Sequence, residues 1–411
     1  MSAPRTREPG VVIVGASIGG LRTAESLRRF GYDGRITVIG DEPHRPYMRP
    51  PLSKAALLNG VEQTELALPI DASLDVEWVL GTRITSVDLD GQRLLDEHGD
   101  IHEYRHLVAA TGVRARRIAR RSAVDGVFSI RTLDDVTALT ARLRPGQHIA
   151  VAGAGVLGCE VAATARSRGC EVTVAGSEAL PMQRALGTGL ARRLSEVHVA
   201  HGTRFAMGAR ISHVETEGGG RPALHFADRE PLVADLVVEA VGSRFNTEWL
   251  ADADAAMPHG VRTDSSMRVH RRSGGTWTNV YAVGDLASFP TLLVDGDHAN
   301  VQHWNIPTET ARRAAQVIAA AHAGPDQEEQ AVAARFAPLP SFWTDQHEAR
   351  VMSYGLPAAA TSSELLESGD GPEAIYGFFR SGQLTGVCGI GMRGKLAGYR
   401  NQIADRLKAA S

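Results

Sequence analysis

The chain has three cysteines, Cys159, Cys170 and Cys388, and no two of them form a CxxC or CxxxxC pair. That spacing excludes both a disulfide framework and a local dithiol centre, so any redox chemistry here needs a bound cofactor. Excess charge is missing as well. Lys plus Arg (44) nearly balances Asp plus Glu (47), so no whole-molecule field draws the protein to nucleic acid or to an anionic membrane. Long apolar runs are also absent. The first, Val11 to Val14, stops at a glycine after four residues, too short for a signal peptide, and no later run approaches a membrane span. The expectation is a cytoplasmic, globular protein with no membrane or nucleic-acid partner. Its 411 residues are enough for two or three domains with sizeable cores.

What is present begins with two nucleotide cradles. Val11 to Val14 reads as a buried strand, followed by Gly15-Ala16-Ser17-Ile18-Gly19-Gly20, a helical pattern ending near Gly31, and a second strand from Arg35 to Ile39. In this βαβ unit Gly15 permits the tight turn, Gly20 lets helix and strand pack closely, and the helix N-terminus offers free N–H groups to a pyrophosphate. Asp41, at the end of the second strand, is placed to accept bonds from a ribose diol. Ser17 stands where the fingerprint has its middle glycine, and either is tolerated there or bonds a phosphate oxygen itself. The second copy is unbroken: strand His148 to Ala152, Gly153-Ala154-Gly155-Val156-Leu157-Gly158, a small-residue helix to Gly169, and strand Glu171 to Ala175. One cradle for a tightly held dinucleotide and one for an exchanging dinucleotide is the arrangement of a flavoprotein reductase, the alternative being an internal duplication with one dead site.

Between and after the cradles, YRHLVAATG (104 to 112) and VYAVGD (280 to 285) read as strands breaking into glycine at a nucleotide-facing end. Asp285 is either a partner for a sugar-like hydroxyl chain or a turn cap. A helix is predicted from Asn305 to Ala320, with Pro307 in its first turn. The stretch HRPYMRPPLSK (44 to 54) packs three prolines, two arginines and a lysine into a loop that neither a regular helix nor a central strand can traverse. It reads as a stiff cationic loop.

These motifs together resemble, over nearly the full length, the FAD-dependent ferredoxin reductases that serve oxygenases and cytochromes P450, within the pyridine nucleotide-disulfide oxidoreductase superfamily. The resemblance rests on RPYMRPPLSK (45 to 54), ATG (110 to 112), IRTLDD (130 to 135), GAGVLGCEVAA (153 to 163), VYAVGD, QHW (302 to 304) and PSFWTDQ (340 to 346). Relatives that reduce disulfides carry a reactive cysteine pair after the first βαβ unit; this sequence carries prolines and Lys54. The resemblance implies FAD contacts from Gly15, Ser17, Gly19, Gly20, Asp41, Arg49, Lys54, Ile84, Arg131, Asp285 and Trp304. It implies a nicotinamide dinucleotide site at Gly153, Gly155, Leu157, Gly158, Glu160 and Gly242. Lys54 is expected near the reactive flavin edge, paired with Glu160, as the catalytic couple. Taken singly, Lys54 reads as a surface lysine, Glu160 as a helix-face carboxylate and Trp304 as a core residue. Met48 stands where the family usually has an acid, and QHW where it usually has EHW.

The fold class implied is α/β: two Rossmann-like dinucleotide-binding domains, for FAD and NAD, plus a C-terminal α+β domain. The FAD domain is expected to be split between 1–112 and 244–325, with the NAD(P) domain at 113–243 and the C-terminal domain at 330–411. Residues 321–330, AHAGPDQEEQ, have linker composition, and 374–391 read as a hairpin turning at Ser381-Gly382. The expected activity is hydride transfer from NADH, with NADPH as the alternative donor, to FAD and then single-electron delivery to a small iron–sulfur ferredoxin. An NAD(P)H oxidase or small-molecule reductase, and a flavin-binding redox sensor with a decayed nicotinamide site, are the alternatives. Gly176-Ser177 ends the second cradle's outer strand where NADH-preferring relatives place a glutamate, so weak coenzyme discrimination is expected. RARRIARR, carrying Arg114, Arg116, Arg117, Arg120 and Arg121, reads as a solvated connector or as an attractor for an acidic ferredoxin. Trp343 is a candidate for interface or core. No metal site is expected; His198, His201, His298 and His303 are assigned to strands or loops.

Overall fold

The computed structural model describes residues 9–61, 66–120, 123–294 and 296–409, so Arg121 and most of the leading segment lie outside the described residues. The uniformly apolar strand Val11–Val14 is buried throughout. A strand of that kind needs cover on both faces, and it obtains it inside a largely parallel sheet. It pairs in parallel with Ile36–Gly40 and with His106–Ala109. The full order is Arg268–His270, Thr276–Ala282, His106–Ala109, Val11–Val14, Ile36–Gly40 and Glu77–Leu80. The chain therefore leaves this sheet after residue 109 and returns to it near 268.

The intervening chain builds a second sheet in the order Thr203–Ala206, Glu171–Ala175, His148–Ala152, Leu236–Glu239 and Val127–Ser129, parallel throughout. The helix Val156–Ser167, crossing from His148–Ala152 to Glu171–Ala175, repeats the role of Ile18–Arg29 in the first sheet. In both units the last fingerprint glycine lies directly over the turn. A Cβ on Gly20 would stand 2.0 Å from the Gly15 carbonyl oxygen, and one on Gly158 equally 2.0 Å from that of Gly153.

The C-terminal part is a five-stranded antiparallel sheet in the order Ser341–Gln346, Ala349–Gly355, Gln383–Ile390, Ala374–Arg380 and Ser362–Ser368. The helix Arg393–Ala409 closes it, burying Leu396, Ile403 and Leu407. The predicted hairpin turns at Ser381-Gly382, both with positive φ, as a tight two-residue turn requires. Asn305 fastens this sheet to the first domain's long helix, Ile306–Ala323: its Nδ2 donates to the Leu339 carbonyl at 2.9 Å and its Oδ1 accepts from the Ser341 N–H at 2.8 Å.

Two segments depart from expectation. Residues 321–330 do not form an extended linker; the long helix continues to Ala323, and after Gly324 a new helix runs from Pro325 to Ala333. Gly324, at φ 149°, breaks the first helix, and Pro325 with Asp326 and Glu328 opens the next with favourable first-turn residues. The Pro50-Pro51 loop is likewise a 3-10 turn, Pro50–Ser53, with prolines at its first positions where no N–H is needed.

Gly158→Ala is expected to destabilise the protein by at least about 1 to 3 kcal/mol, since the methyl would overlap a backbone oxygen that cannot rotate away. Urea unfolding of the purified variant measures this, and a midpoint equal to that of the wild type would show that helix and turn are less closely apposed than described.

Candidate functional site

At the carboxyl ends of the first sheet's strands the structure opens a cleft of about 620 Å³, the position where open α/β sheets bind ligands. Gly15, Ser17 and Gly19 line it from the first turn, Asp41 from the end of the second strand, and Ile84, Arg49, Arg131 and Asp285 from segments far apart in sequence. The structure thus brings together eight of the residues expected on the FAD side. Gly20 packs against the backbone of the turn, and neither it, Lys54 nor Trp304 lines this cleft. Trp304 instead is half-buried, edge-on to the half-buried Trp343 with ring centroids 5.5 Å apart.

Arg49 organises the cleft wall. Its guanidinium donates to Glu42 Oε1 at 2.5 Å, to the Arg131 carbonyl at 2.6 Å and, weakly, to Ser17 Oγ at 3.4 Å. Glu42 also accepts from the Tyr47 hydroxyl at 2.6 Å, and that hydroxyl in turn accepts from the Leu133 N–H at 3.0 Å. Glu42 and Tyr47 were not among the expected site residues. The signal for Tyr47 was its place two residues before Arg49, whose guanidinium donates to the Tyr47 hydroxyl at 3.3 Å; none pointed to Glu42.

Burial and the neighbouring Arg49 cation hold the Arg131 pKa below its usual value, even though Arg131 donates to Asp285 Oδ2 at 3.3 Å. Its buried Nε has no hydrogen-bond partner. Two guanidiniums crowded beside a glycine turn, one with an orphaned donor, form a wall that a phosphate-bearing ligand would relieve. FAD fits this cleft on that ground, with the Gly15–Gly20 turn for its pyrophosphate and Asp41, exposed at the rim, for a ribose diol.

Lys54 and Glu160 meet at a junction of three parts of the chain. Lys54 Nζ lies 2.6 Å from Glu160 Oε1, with Glu160's side chain 8% exposed and that of Lys54 21% exposed. Ser53 donates to Glu160 Oε2 at 2.5 Å, and Thr344, from the C-terminal sheet, donates to Oε1 at 2.6 Å. Behind Thr344 the donors continue inward. Gln346 Nε2 donates to Thr344 Oγ1 at 3.0 Å, while Gln346 Oε1 lies 2.8 Å from His198 Nε2. Strand alternation sets Thr344 and Gln346 on one face and Trp343 on the other, a pattern present in PSFWTDQ but unused by the sequence analysis.

The second cradle is open where a ligand would approach. Gly155 and Gly242 are exposed and a Cβ on either would meet nothing within 4 Å, and Leu157 is 37% exposed. Packing alone therefore does not call for glycine at 155, whereas close approach of a dinucleotide backbone does. Gly153 and Gly158 are the closely packed pair beneath it. Gly176 is buried, and a Cβ there would lie 2.7 Å from the Ala154 methyl. Glu178 is occupied by Arg184, 3.4 Å away.

Other expected features settle differently. The described arginines of RARRIARR are exposed, as a solvated connector requires, yet not all are free of the fold: Arg117 and Arg120 reach the buried Glu239 at 3.2 and 2.9 Å, and Arg114 pairs with the exposed Glu248. His198 belongs to neither a strand nor a loop but is fully buried in the helix Gln183–Ala200. All three cysteines are buried and unpaired, and burial pushes the Cys388 thiol up to about 12.

Residues 9–324 match the pyridine nucleotide-disulphide oxidoreductase family. The chain is 32% identical over 401 residues to the ferredoxin–NAD(+) reductase component of an anthranilate 1,2-dioxygenase system from Burkholderia cepacia, covering 96% of this chain and 93% of that protein. Among solved structures, it matches the ferredoxin reductase for the CYP199A2 system from Rhodopseudomonas palustris at TM-score 0.83 and 31% identity, covering 93% and 91% of the two chains. It also matches the putidaredoxin reductase–putidaredoxin complex at TM-score 0.87 and 25% identity, covering 98% and 94%. With its two glycine cradles, its phosphate-ready cleft and no cysteine pair, the chain belongs to the pyridine nucleotide-disulphide oxidoreductase family.

Proposed function

We propose that this protein takes hydride from NADH onto FAD and passes electrons singly to a small iron–sulfur ferredoxin serving an oxygenase. The observation that carries this reading is the Lys54–Glu160 pair, held by Ser53 and Thr344, in a chain whose three cysteines are all buried and unpaired. The relatives named as ferredoxin reductase components of oxygenase systems support it. Bound in the cleft, FAD would supply the conversion between a two-electron donor and a one-electron acceptor.

The chain's own residues do the rest. Arg49 and Arg131 bind the anionic part of the cofactor, and Asp285, paired with Arg131, faces the same cleft. Lys54, held by Glu160 just outside the cleft lining, would offer bound FAD a cation that favours a reduced, negatively charged cofactor in a partly desolvated setting. Glu160 fixes where that cation sits. Exposed Gly155, Leu157 and Gly242 leave room for an exchanging dinucleotide. The proposed division into an FAD domain (1–112 with 244–325), an NAD(P) domain (113–243) and a C-terminal domain (330–411) is supported by the return of residues 268–282 to the first sheet, though the helix Pro325–Ala333 runs across the last boundary. No helix among the described residues is long and apolar enough to cross a membrane, and we place the protein in the cytoplasm.

Anaerobic NADH should bleach the visible spectrum of the FAD-loaded protein, and adding a [2Fe–2S] ferredoxin should then drive reduction of a cytochrome reporter. Bleaching without ferredoxin-dependent reporter reduction, but with rapid reoxidation in air, would replace the ferredoxin reading by an oxidase.

Thr344→Val removes a hydrogen bond to a charged acceptor, worth about 1.5 to 3 kcal/mol, and strands the Gln346 amide donor. Flavin reduction is expected to slow, or FAD retention to weaken, by about tenfold or more. Stopped-flow rates and FAD retention within twofold of the wild type would show that Thr344 has no part in holding Glu160.

For the coenzyme, kcat/KM with NADH and NADPH is expected to agree within about tenfold, because Gly176 carries no side chain and Glu178 is engaged by Arg184. Gly176→Glu alone would press on Ala154, so preference for NADH should appear only in Ala154→Gly/Gly176→Glu. A native NADH preference above about a hundredfold would place the ribose contact on another residue.

A further inference from the structure

The antiparallel strands Ile211–Glu217 and Arg221–Phe226 line no part of the cleft and touch neither Lys54 nor Glu160. His213 and His225 are directly paired across them, with stacked rings 4.5 Å apart at 14°. Alternation places Glu215 and Glu217 on the same face as His213. His213 Nε2 lies 3.2 Å from Glu215 Oε2, and one ligand atom from each of His213, Glu215 and His225 lies within 4.8 Å of the others. The side chains of the two histidines are only 16% and 18% exposed.

The hydrogen bonding leaves an electrostatic mismatch. Ser212 Oγ donates to the His225 carbonyl at 3.0 Å, which commits its single hydrogen, so its contact of 3.0 Å with His213 Nδ1 requires the proton to sit on Nδ1. The Nε2 lone pair of a neutral His213 then points at a carboxylate, acceptor against acceptor. His225 Nε2 is buried, lies 3.1 Å from Glu217 Oε1 and makes no hydrogen bond. A cation between these groups removes the conflict. The β-bulge between Ile211 and His213 brings the Ser212 hydroxyl to the His213 ring, where it acts as the outer partner that metal-binding histidines commonly have.

We propose that His213, His225 and Glu215 form a binding site for a divalent transition-metal ion of the zinc class, with two imidazoles and a carboxylate as protein ligands and water completing the shell. The ion clamps the two strands of this hairpin. Because the ligands come from facing strands, no short sequence motif announces them.

Chelator-treated, FAD-loaded protein titrated with Zn²⁺ at about pH 7.5, where ligand protonation competes weakly, should show a saturable site of one ion per chain. Zn²⁺ should also raise the unfolding temperature. His225→Gln and Glu215→Gln should each weaken that binding by at least about tenfold while NADH bleaching is unchanged. His213→Gln, on the partner strand, serves if His225→Gln fails to fold. No saturable binding below about 1 mM Zn²⁺, or binding indifferent to these substitutions, would overturn the proposal and leave His213–Glu215 a proton-bridged ion pair only.

Discussion

Glu160 is the point on which the remainder of the site depends. A carboxylate 8% exposed is stable only where its charge is answered, and here the answers come from three separate parts of the chain: Lys54 and Ser53 from the loop, and Thr344 from the C-terminal sheet. Each donor has its own reason to be in place. The Pro50–Ser53 turn sets the loop, the Ser53 carbonyl accepts from Thr164 on Glu160's own helix at 2.7 Å, and Gln346 orients Thr344. The same contacts that satisfy the carboxylate therefore dock three parts of the chain on one another: the loop, the helix that carries Glu160 and the C-terminal sheet. A site assembled this way is positioned by folding itself.

The two cradles show how one local solution serves two purposes. Each needs glycine where the helix crosses its turn, because the backbone oxygens of Gly15 and Gly153 occupy the space a side chain would take. They differ at the point that meets ligand. The first has Ser17, in reach of Arg49, inside a cleft walled by two guanidiniums; the second has exposed Gly155 in open space. A walled site suits a retained cofactor and an open one suits an exchanging coenzyme. Ala154 and Gly176 are coupled in the same way, since the methyl of one fills the place of a side chain on the other.

Much of this was legible in the sequence wherever backbone geometry restricts the residue type. The cradles, the Ser381-Gly382 hairpin and the strand endings at Gly112 and Gly284 are of this kind, because a positive φ or a close approach favours glycine there, Ser381 alone among them taking its positive φ with a side chain. The Lys54–Glu160 contact joins residues far apart in sequence, and only the resemblance suggested it. Partners without a motif escaped: Glu42 for the nearby Arg49, and at long range Thr344 for Glu160 and the buried Glu239 for Arg117 and Arg120. Residues 321–330 misled because Gly-Pro and acidic residues compose a linker and a helix junction equally well. The burial of His198 depended on Gln346 Oε1, which no local pattern reveals.

The most direct measure of the account is the flavin midpoint potential in the wild type and in Lys54→Met, determined by spectroelectrochemical titration with FAD bound in both. If Glu160 holds a cation against the reduced cofactor, removing that cation disfavours the negatively charged state, and the potential should fall by tens of millivolts, since about 30 mV of a two-electron couple corresponds to 1.4 kcal/mol. A potential unchanged within error, with FAD fully retained, would mean that the Lys54–Glu160 pair only joins domains and that the electrostatics of the site lie elsewhere.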